Sequence, residues 1–273
     1  TIIPEENWPG SFDLGTDLVE GRFRFLNNTV SADDLTSGRL NASLAWQAEY
    51  HSFHWLGDLR AVDTQTARIL ARTHLENWIF ENQKWHPLSW RPDVLARRVC
   101  SWLTHAEFIS AGADWDFVEK FLDSIARQAR HLRRAGRFAS NGVDRVAVTK
   151  ALIYTSLCLP NNIRYVPRQL RAAARISDRQ ILPDGGHVER NPALQIQVLQ
   201  HLIDIRSVLK AASIETPEQL KRAIARAALM LRFYRHADGG LALFNGSNEG
   251  APQLIDAVLT KAKADGKPLN SAT

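Results

Sequence analysis

From Leu44 to Arg235 the apolar residues of this chain recur at the helical period, segment after segment, with almost no period-two alternation. A chain patterned in this way must bury helix faces against other helices, which rules out most sheet-based folds. The first segment, Leu44 to Leu59, places apolar residues at 44, 45, 48, 55, 56 and 59. Thr64 to Phe80 follows, capped at Asp63, and Arg91-Pro92-Asp93 opens a helix to about Ile109. Asp114 caps the next, which carries Phe117, Phe121, Ile125, Ala129 and Leu132. Four more are expected near 143–159, 167–181, 192–211 and 217–235, the third opened by Asn191-Pro192 and the fourth by Thr216-Pro217-Glu218. A final amphipathic helix is expected from about Pro252 to Ala264. Antiparallel helix pairs of this kind predict an all-α fold, a toroid or a solenoid. No repeat at a fixed period is visible, so an incomplete α/α toroid over 41–273 fits better than a regular array.

Residues 1–40 are read as an irregular N-terminal cap, rich in Pro, Gly, Asn and Asp, with a candidate strand in Gly21 to Leu26. The chain starts without an initiator Met or signal peptide and closes on a small polar tail, Gly266 to Thr273, which reads as a fragment or a processed chain. No apolar stretch reaches the length of a membrane span, so no membrane partner is expected. Cys100 and Cys158 lie in apolar helical patterns and read as buried thiols. The net charge of +5 suits an acidic partner, and the absence of a basic run argues against nucleic acid.

The richest stretch for chemistry is Leu182-Pro183-Asp184-Gly185-Gly186-His187-Val188-Glu189-Arg190-Asn191-Pro192, set between two helices. Pro, Asp and Gly supply a turn, and the next helix begins at Asn191. His187, Glu189 and Arg190 are thereby placed beside a helix N-terminus, where anions are favoured. The plain alternative is an interhelical loop held by an Arg–Glu pair. Asp184 with Glu189 could also form the facing carboxylates of a glycoside hydrolase. His236 and Asp238 are candidate companions across the rim.

A second cluster is Lys84-Trp85-His86-Pro87-Leu88-Ser89-Trp90-Arg91-Pro92. Trp faces stack on sugar rings, whereas Arg and His bond carboxylates and sulfates. Trp85 and Trp90 are therefore the expected ligand contacts, and Trp46, Trp78, Trp102 and Trp115 the core fillers. His51 and His54, with Trp55, share one helical face and read as a polar face rather than a metal pair. No nucleophile elbow, phosphate loop, dinucleotide fingerprint or zinc spacing occurs.

These residues resemble the heparinase II/III family of polysaccharide lyases, over roughly residues 45–250. The family's Trp-x-Pro and Arg-(Ile/Val)-x-x-Trp signature is matched by Trp85-His86-Pro87 and Arg98-Val99-Cys100-Ser101-Trp102. Its Asp-Gly-x-His-x-Glu-Arg-Ser-Pro-x-Tyr-His motif is matched from Asp184 to Gln195, and an Arg-x-Phe-x-(His)-x-Asp-Gly element by Arg232 to Gly239. Leu241 to Gly246 matches the Leu-x-Leu-Phe-Asn-Gly that follows. The resemblance implies a bacterial protein, cytoplasmic or periplasmic, whose toroid is normally followed by a β-sandwich domain that this chain lacks. It implies β-elimination on uronic-acid polysaccharides, with an Asn or His neutralising the uronate and a Tyr or His taking the C5 proton. By that resemblance Asn141, His187 and Glu189 are the catalytic candidates, with Asn141 as neutraliser and Glu189 orienting Arg190 or His187. Trp85, His86, Trp90, Arg91, Asp184, Arg190 and His236 are the substrate-binding candidates. No cofactor is expected in this chain, although some family members use a divalent metal.

The sequence departs from the pattern at the reacting groups. The Tyr-His pair of the motif falls on Leu194-Gln195, and the family's Asn-His falls on Val143-Asp144 unless Asn141-Gly142 is shifted by two residues. Tyr154 and Tyr165 match no catalytic position. The expectation is therefore an acidic-polysaccharide-binding helical half, inactive by itself, with a glycan-binding or purely structural scaffold as the alternative.

Overall fold

The computed structural model of the protein describes residues 2–36 and 41–263. The tail expected from Gly266, and Ala264 of the last helix, lie outside them. The described chain is all-α apart from one hairpin, and it divides into two compact units, residues 3–139 and residues from Ser140 onward.

The first unit begins with a helix that the sequence pattern did not announce, α1 (Phe12–Val19). Ser11 caps it by accepting the Leu14 N–H, and Gly15 lets it approach α4 (Leu56–Val62) so closely that a Cβ would overlap Asp58 O. Strands β1 (Arg22–Phe25) and β2 (Asn28–Ser31) pair antiparallel, Phe23 opposite Val30, through a two-residue turn at Leu26 and Asn27. Both turn residues have positive φ, 50° and 61°, the geometry that matches strand twist. The short α2 (Ala32–Thr36) follows.

The expected helix from Leu44 to Leu59 is two helices, α3 (Leu44–Ser52) and α4, broken at Phe53 with φ 55°. The break has a packing reason. In one continuous helix residues 53 and 55 would point about 160° apart, whereas here Phe53 and Trp55 are both buried, with ring centroids 4.9 Å apart. The break also takes His51 and His54 off a common face. His51 instead accepts the Trp78 indole N–H at 3.1 Å, and burial pushes its imidazole down to about 4.

Helix α5 (Gln65–Glu81) is capped by Thr64, and Asp63 closes the preceding helix instead. The helix expected to run from residue 92 to 109 is likewise two, α6 (Pro92–Thr104) and α7 (Ala106–Ser110), meeting at His105. Helix α8 (Trp115–Ala135) is capped by Asp114.

The core of this unit is aromatic. Trp46 stacks on Tyr50, and Trp78 meets Trp102 edge to face at 5.5 Å. Arg98 is fully buried within it. Its Nε donates to Gln128 Oε1 at 2.7 Å, its Nη1 to the carbonyls of His51 and Ser89 at 2.9 Å, and its guanidinium lies 3.9 Å from the Trp78 ring centroid. Trp115, expected in the core, is 78% exposed at the first position of α8, one residue after the cap and two residues before Phe117, the first buried residue of the helix.

The second unit contains α9 (Val143–Cys158), α10 (Val166–Gln180), α11 (Pro192–Ala211), α12 (Glu218–Tyr234) and α13 (Pro252–Lys263). Helix α11 lies at its centre, packed on α9, α12 and α13. Apolar side chains recur all along it, including Ile196, Leu199, Leu202, Ile205 and Leu209, all buried. Lys150 of α9 and Asp204 of α11 form a buried ion pair at 3.0 Å. Cys100 and Cys158 are buried thiols, one in each unit. No helix among the described residues is long and apolar enough to cross a membrane.

Candidate functional site

The polar stretch after α10 folds as a tight turn. Ile181 and His187 form an antiparallel bridge, the Leu182 N–H donates to Gly186 O, and the Gly185 N–H donates to Leu182 O. Gly185 has φ +89°, and a Cβ there would overlap Arg226 O of α12. A Cβ on Gly186 would overlap the Arg190 guanidinium, so the second glycine makes room for Arg190 to fold back over the turn. Arg190 reaches Asp184 at 2.6 Å, and the Gly186 N–H donates to Asp184 at 2.9 Å. The loop is thus held by an Arg–Asp pair, not by the Arg–Glu pair of the plain alternative. The Gly186 N–H and the Arg190 guanidinium keep the Asp184 carboxyl below its ordinary range. Asp184 is thereby held ionised, which removes it as the proton donor of a hydrolase pair with Glu189.

His187 lies inside the turn with no exposed surface. Its N–H donates to Gln195 Oε1 at 2.6 Å, its Nε2 sits 3.0 Å from Gln180 Oε1, and its Nδ1 accepts the Glu189 N–H at 3.4 Å. The neutral Nε2–H tautomer satisfies both ring contacts. A catalytic role for His187 is corrected by this geometry, since a fully enclosed ring committed on both nitrogens cannot touch substrate. Burial pushes its imidazole down to about 4, while an unfolded imidazole titrates near ~6.5. His187 therefore stabilises the fold fully above about pH 6.5, and that contribution is lost as pH falls toward its folded value. Between pH 7 and pH 5 the loss is about 2 kcal/mol. Urea midpoints at the two pH values will show it in the wild type and show less of it in His187→Gln; equal pH sensitivity in the two proteins would exclude His187 as the group.

Gln195, which stands where the family motif has its His, is the hub of the turn. Besides accepting from His187, its Nε2 donates to Gly185 O at 2.9 Å and to Ala227 O of α12 at 3.0 Å. Reading by residue type missed it, because a Gln one turn into a helix has no distinguishing local signal. Leu194, at the position of the expected phenol, is half-buried, and its N–H is capped by Asn191.

The same turn recurs 54 residues later, a repeat that escaped the sequence reading. Arg235 and Leu241 form the bridge, and the His236 N–H donates to Gly240 O. The Gly240 N–H donates to Asp238, and Gly239 has φ +91°. Exposed His236 thus occupies the place of Leu182 in the first turn. The two loops are clasped: Asn191 Nδ2 donates to Asn245 O at 2.8 Å, and Asn245 Nδ2 donates to Arg190 O at 2.9 Å. Ser247 Oγ also accepts the Ala193 N–H at the start of α11.

Glu189 is brought beside the start of α9. A Cβ on Gly142, which has φ +86°, would overlap Glu189 Oε1, and exposed Asn141 is the residue before it. Asn141, Gly142 and Glu189 therefore form one surface cluster at a helix N-terminus that lacks a side-chain cap. The other candidates lie in the first unit. Trp85 is 66% exposed and His86 is exposed, its Nδ1 accepting the Leu88 N–H. Arg91 makes two bonds to Asp93, at 2.7 and 2.8 Å. Trp90 is only 4% exposed, and its indole N–H donates to Asn82 O. It is a wall of the Trp85 loop rather than a stacking platform, which corrects its expected role. Among the described residues no group of three His, Cys, Asp or Glu is placed to hold a metal ion.

Residues 39–263 match the family described as Heparinase II/III N-terminus. The chain belongs to that family. FtsZ-localized protein C of Caulobacter vibrioides is 33% identical to this heparinase II/III N-terminus chain over 222 residues, which are 81% of the chain and 38% of that protein. The crystal structure of heparinase III superposes with a TM-score of 0.69 at 17% identity, covering 82% of this chain and 37% of the other. Heparan sulfate lyase HepC from Pedobacter heparinus gives 0.65 at 15%, covering 85% and 39%. At those identities the likeness to the lyases is one of fold, the toroid-like helical fold expected from the sequence. The heparinase II/III N-terminus chain spans about two fifths of the length of each of these proteins.

Proposed function

We propose that this chain is the helical half of a bacterial heparinase II/III-like protein, that it binds an acidic polysaccharide, and that it does not complete a lyase reaction by itself. The observation that carries this reading is the fate of the motif. Its imidazole, His187, is enclosed. Leu194 replaces the phenol, and Gln195 is occupied in holding the turn. β-Elimination needs a carboxylate neutraliser, a base for the C5 proton and an acid for the leaving oxygen. The exposed cluster of Asn141 and Glu189 offers a neutraliser, and Arg190 a carboxylate ligand, but neither the Tyr nor the His that such lyases use as base lies among them.

Calorimetric titration with uronate oligosaccharides should show binding to this chain. The ultraviolet absorbance of unsaturated uronate product should rise only with a longer chain continuing past Thr273. Absence of binding to every acidic glycan would end the reading, and product formed by this chain alone would end its non-lytic half.

A second reading is favoured by the 33% identity to FtsZ-localized protein C: a helical scaffold localised with FtsZ that has kept the fold without the glycan. Co-sedimentation with FtsZ filaments, unaffected by added oligosaccharide, would support it.

A further inference from the structure

We infer that the first unit carries a subsite for one anionic sugar, between the Trp85 loop and the basic face of α8; this rests on the glycan-binding reading above. Arg127, Arg130, His131 and Arg134 follow the spacing i, i+3, i+4, i+7 and so share one stripe of α8. With Trp85 and Trp90 they line a pocket of ≈ 270 Å³ that no carboxylate borders. Sites for drug-sized ligands run to roughly 300–1,000 Å³, so this one has room for a single ring and its charged group.

Three features separate the pocket from an ordinary solvated helix face. Arg127, Arg130 and Arg134 make no ion pair among the described residues, whereas Lys120 on the same helix is paired with Asp116. Arg127 borders the pocket, and its Nε is buried without a hydrogen-bond partner, so the protein itself leaves this guanidinium incompletely satisfied. Trp85 stands 66% exposed on a loop stiffened by Pro87, while Trp90 packs edge to face on His131 at 5.0 Å and fixes the floor. Basic residues that only complement a helix dipole belong in the last turn, and Arg127 lies two turns before the end of α8. A guanidinium fork matches a carboxylate or a sulfate, and an indole face matches a pyranose ring. The ligand class is therefore a uronate or sulfated sugar, its ring on Trp85 and its anion on the three arginines.

The test is calorimetry on the full chain with a heparan sulfate tetrasaccharide and an unsulfated polygalacturonate tetrasaccharide. Arg130 and Arg134 are exposed, so Arg130→Gln/Arg134→Gln should leave the thermal midpoint unchanged while weakening binding at least tenfold. Trp85→Ala should weaken it comparably, but with less dependence on salt. The preferred tetrasaccharide assigns the anion as sulfate or carboxylate. If the wild type binds a tetrasaccharide and both variants bind it equally well, the subsite is overturned and the glycan reading stands. If the wild type binds neither, both fall. Tighter binding of a single-stranded oligonucleotide, lost in the same variants, would overturn the sugar assignment in favour of nucleic acid.

Discussion

Replacing Arg98 by Met is expected to lower stability by about 3–5 kcal/mol. The substitution is close in length, so little cavity is created; what is lost is the set of donors. The carbonyls of His51 and Ser89 and the amide oxygen of Gln128 all point at the guanidinium. Each acceptor left dry costs about 1–3 kcal/mol, offset in part because the buried cation is itself expensive to desolvate. That expense is visible in Arg98, whose pKa burial drives well below its ordinary value. Arg98→Lys should fall between the two proteins, since an ammonium keeps the charge but loses the planar fork and the stacking on Trp78. Urea denaturation will rank the three. A Met variant as stable as the wild type would mean that water reaches these acceptors and that Arg98 is not the brace of the unit.

Gln195→Ala is expected to cost a similar amount, about 3–5 kcal/mol, in the other unit. One side chain serves the His187 N–H, the Gly185 carbonyl and the Ala227 carbonyl, all away from solvent. The Ala227 carbonyl keeps its place in the ladder of α12, which limits the total. The more telling variant restores the family's pair, Leu194→Tyr/Gln195→His. A neutral imidazole has one donor and one acceptor, so it cannot serve three groups. The double variant should be destabilised and should still yield no unsaturated product. Hydrogen exchange at Gly185 to Glu189 would report the loosening directly. A double variant with wild-type stability would show that the turn tolerates a reactive histidine, and the motif would then be a dormant active site rather than a structural device.

The helices were legible where a cap coincided with the start of an apolar stripe, as at Asp114 or Asn191 with Pro192. They were not legible where a helix had to break in order to bury both flanking aromatics, because Phe53 and Trp55 read as strong apolar positions whichever way the chain runs. Tryptophan burial was equally hidden. Trp90 is enclosed and Trp115 exposed, and neither outcome follows from the residue type, only from where on its helix or loop it falls. The Asp-Gly-Gly turn could be read from its residues, but its partner across the loop could not. Arg190 meets Asp184 rather than Glu189 because Gly186 leaves the guanidinium a path over the turn. The duplicated turn is faint in the sequence because only Asp-Gly-Gly and the later Asn191/Asn245 are shared, while Pro183 faces Ala237 and His187 faces Leu241 at equivalent places. The basic stripe of α8 was in plain view by spacing, and it gained meaning only once Trp85 was placed beside it.

The reciprocal bonds of Asn191 and Asn245 have an evolutionary corollary. Each asparagine holds the other loop's backbone, so a residue gained or lost in one loop would pull the other out of register. The two loops should therefore change length together or not at all among related chains. Anyone transplanting the first turn into another helical scaffold would have to carry the second along with it.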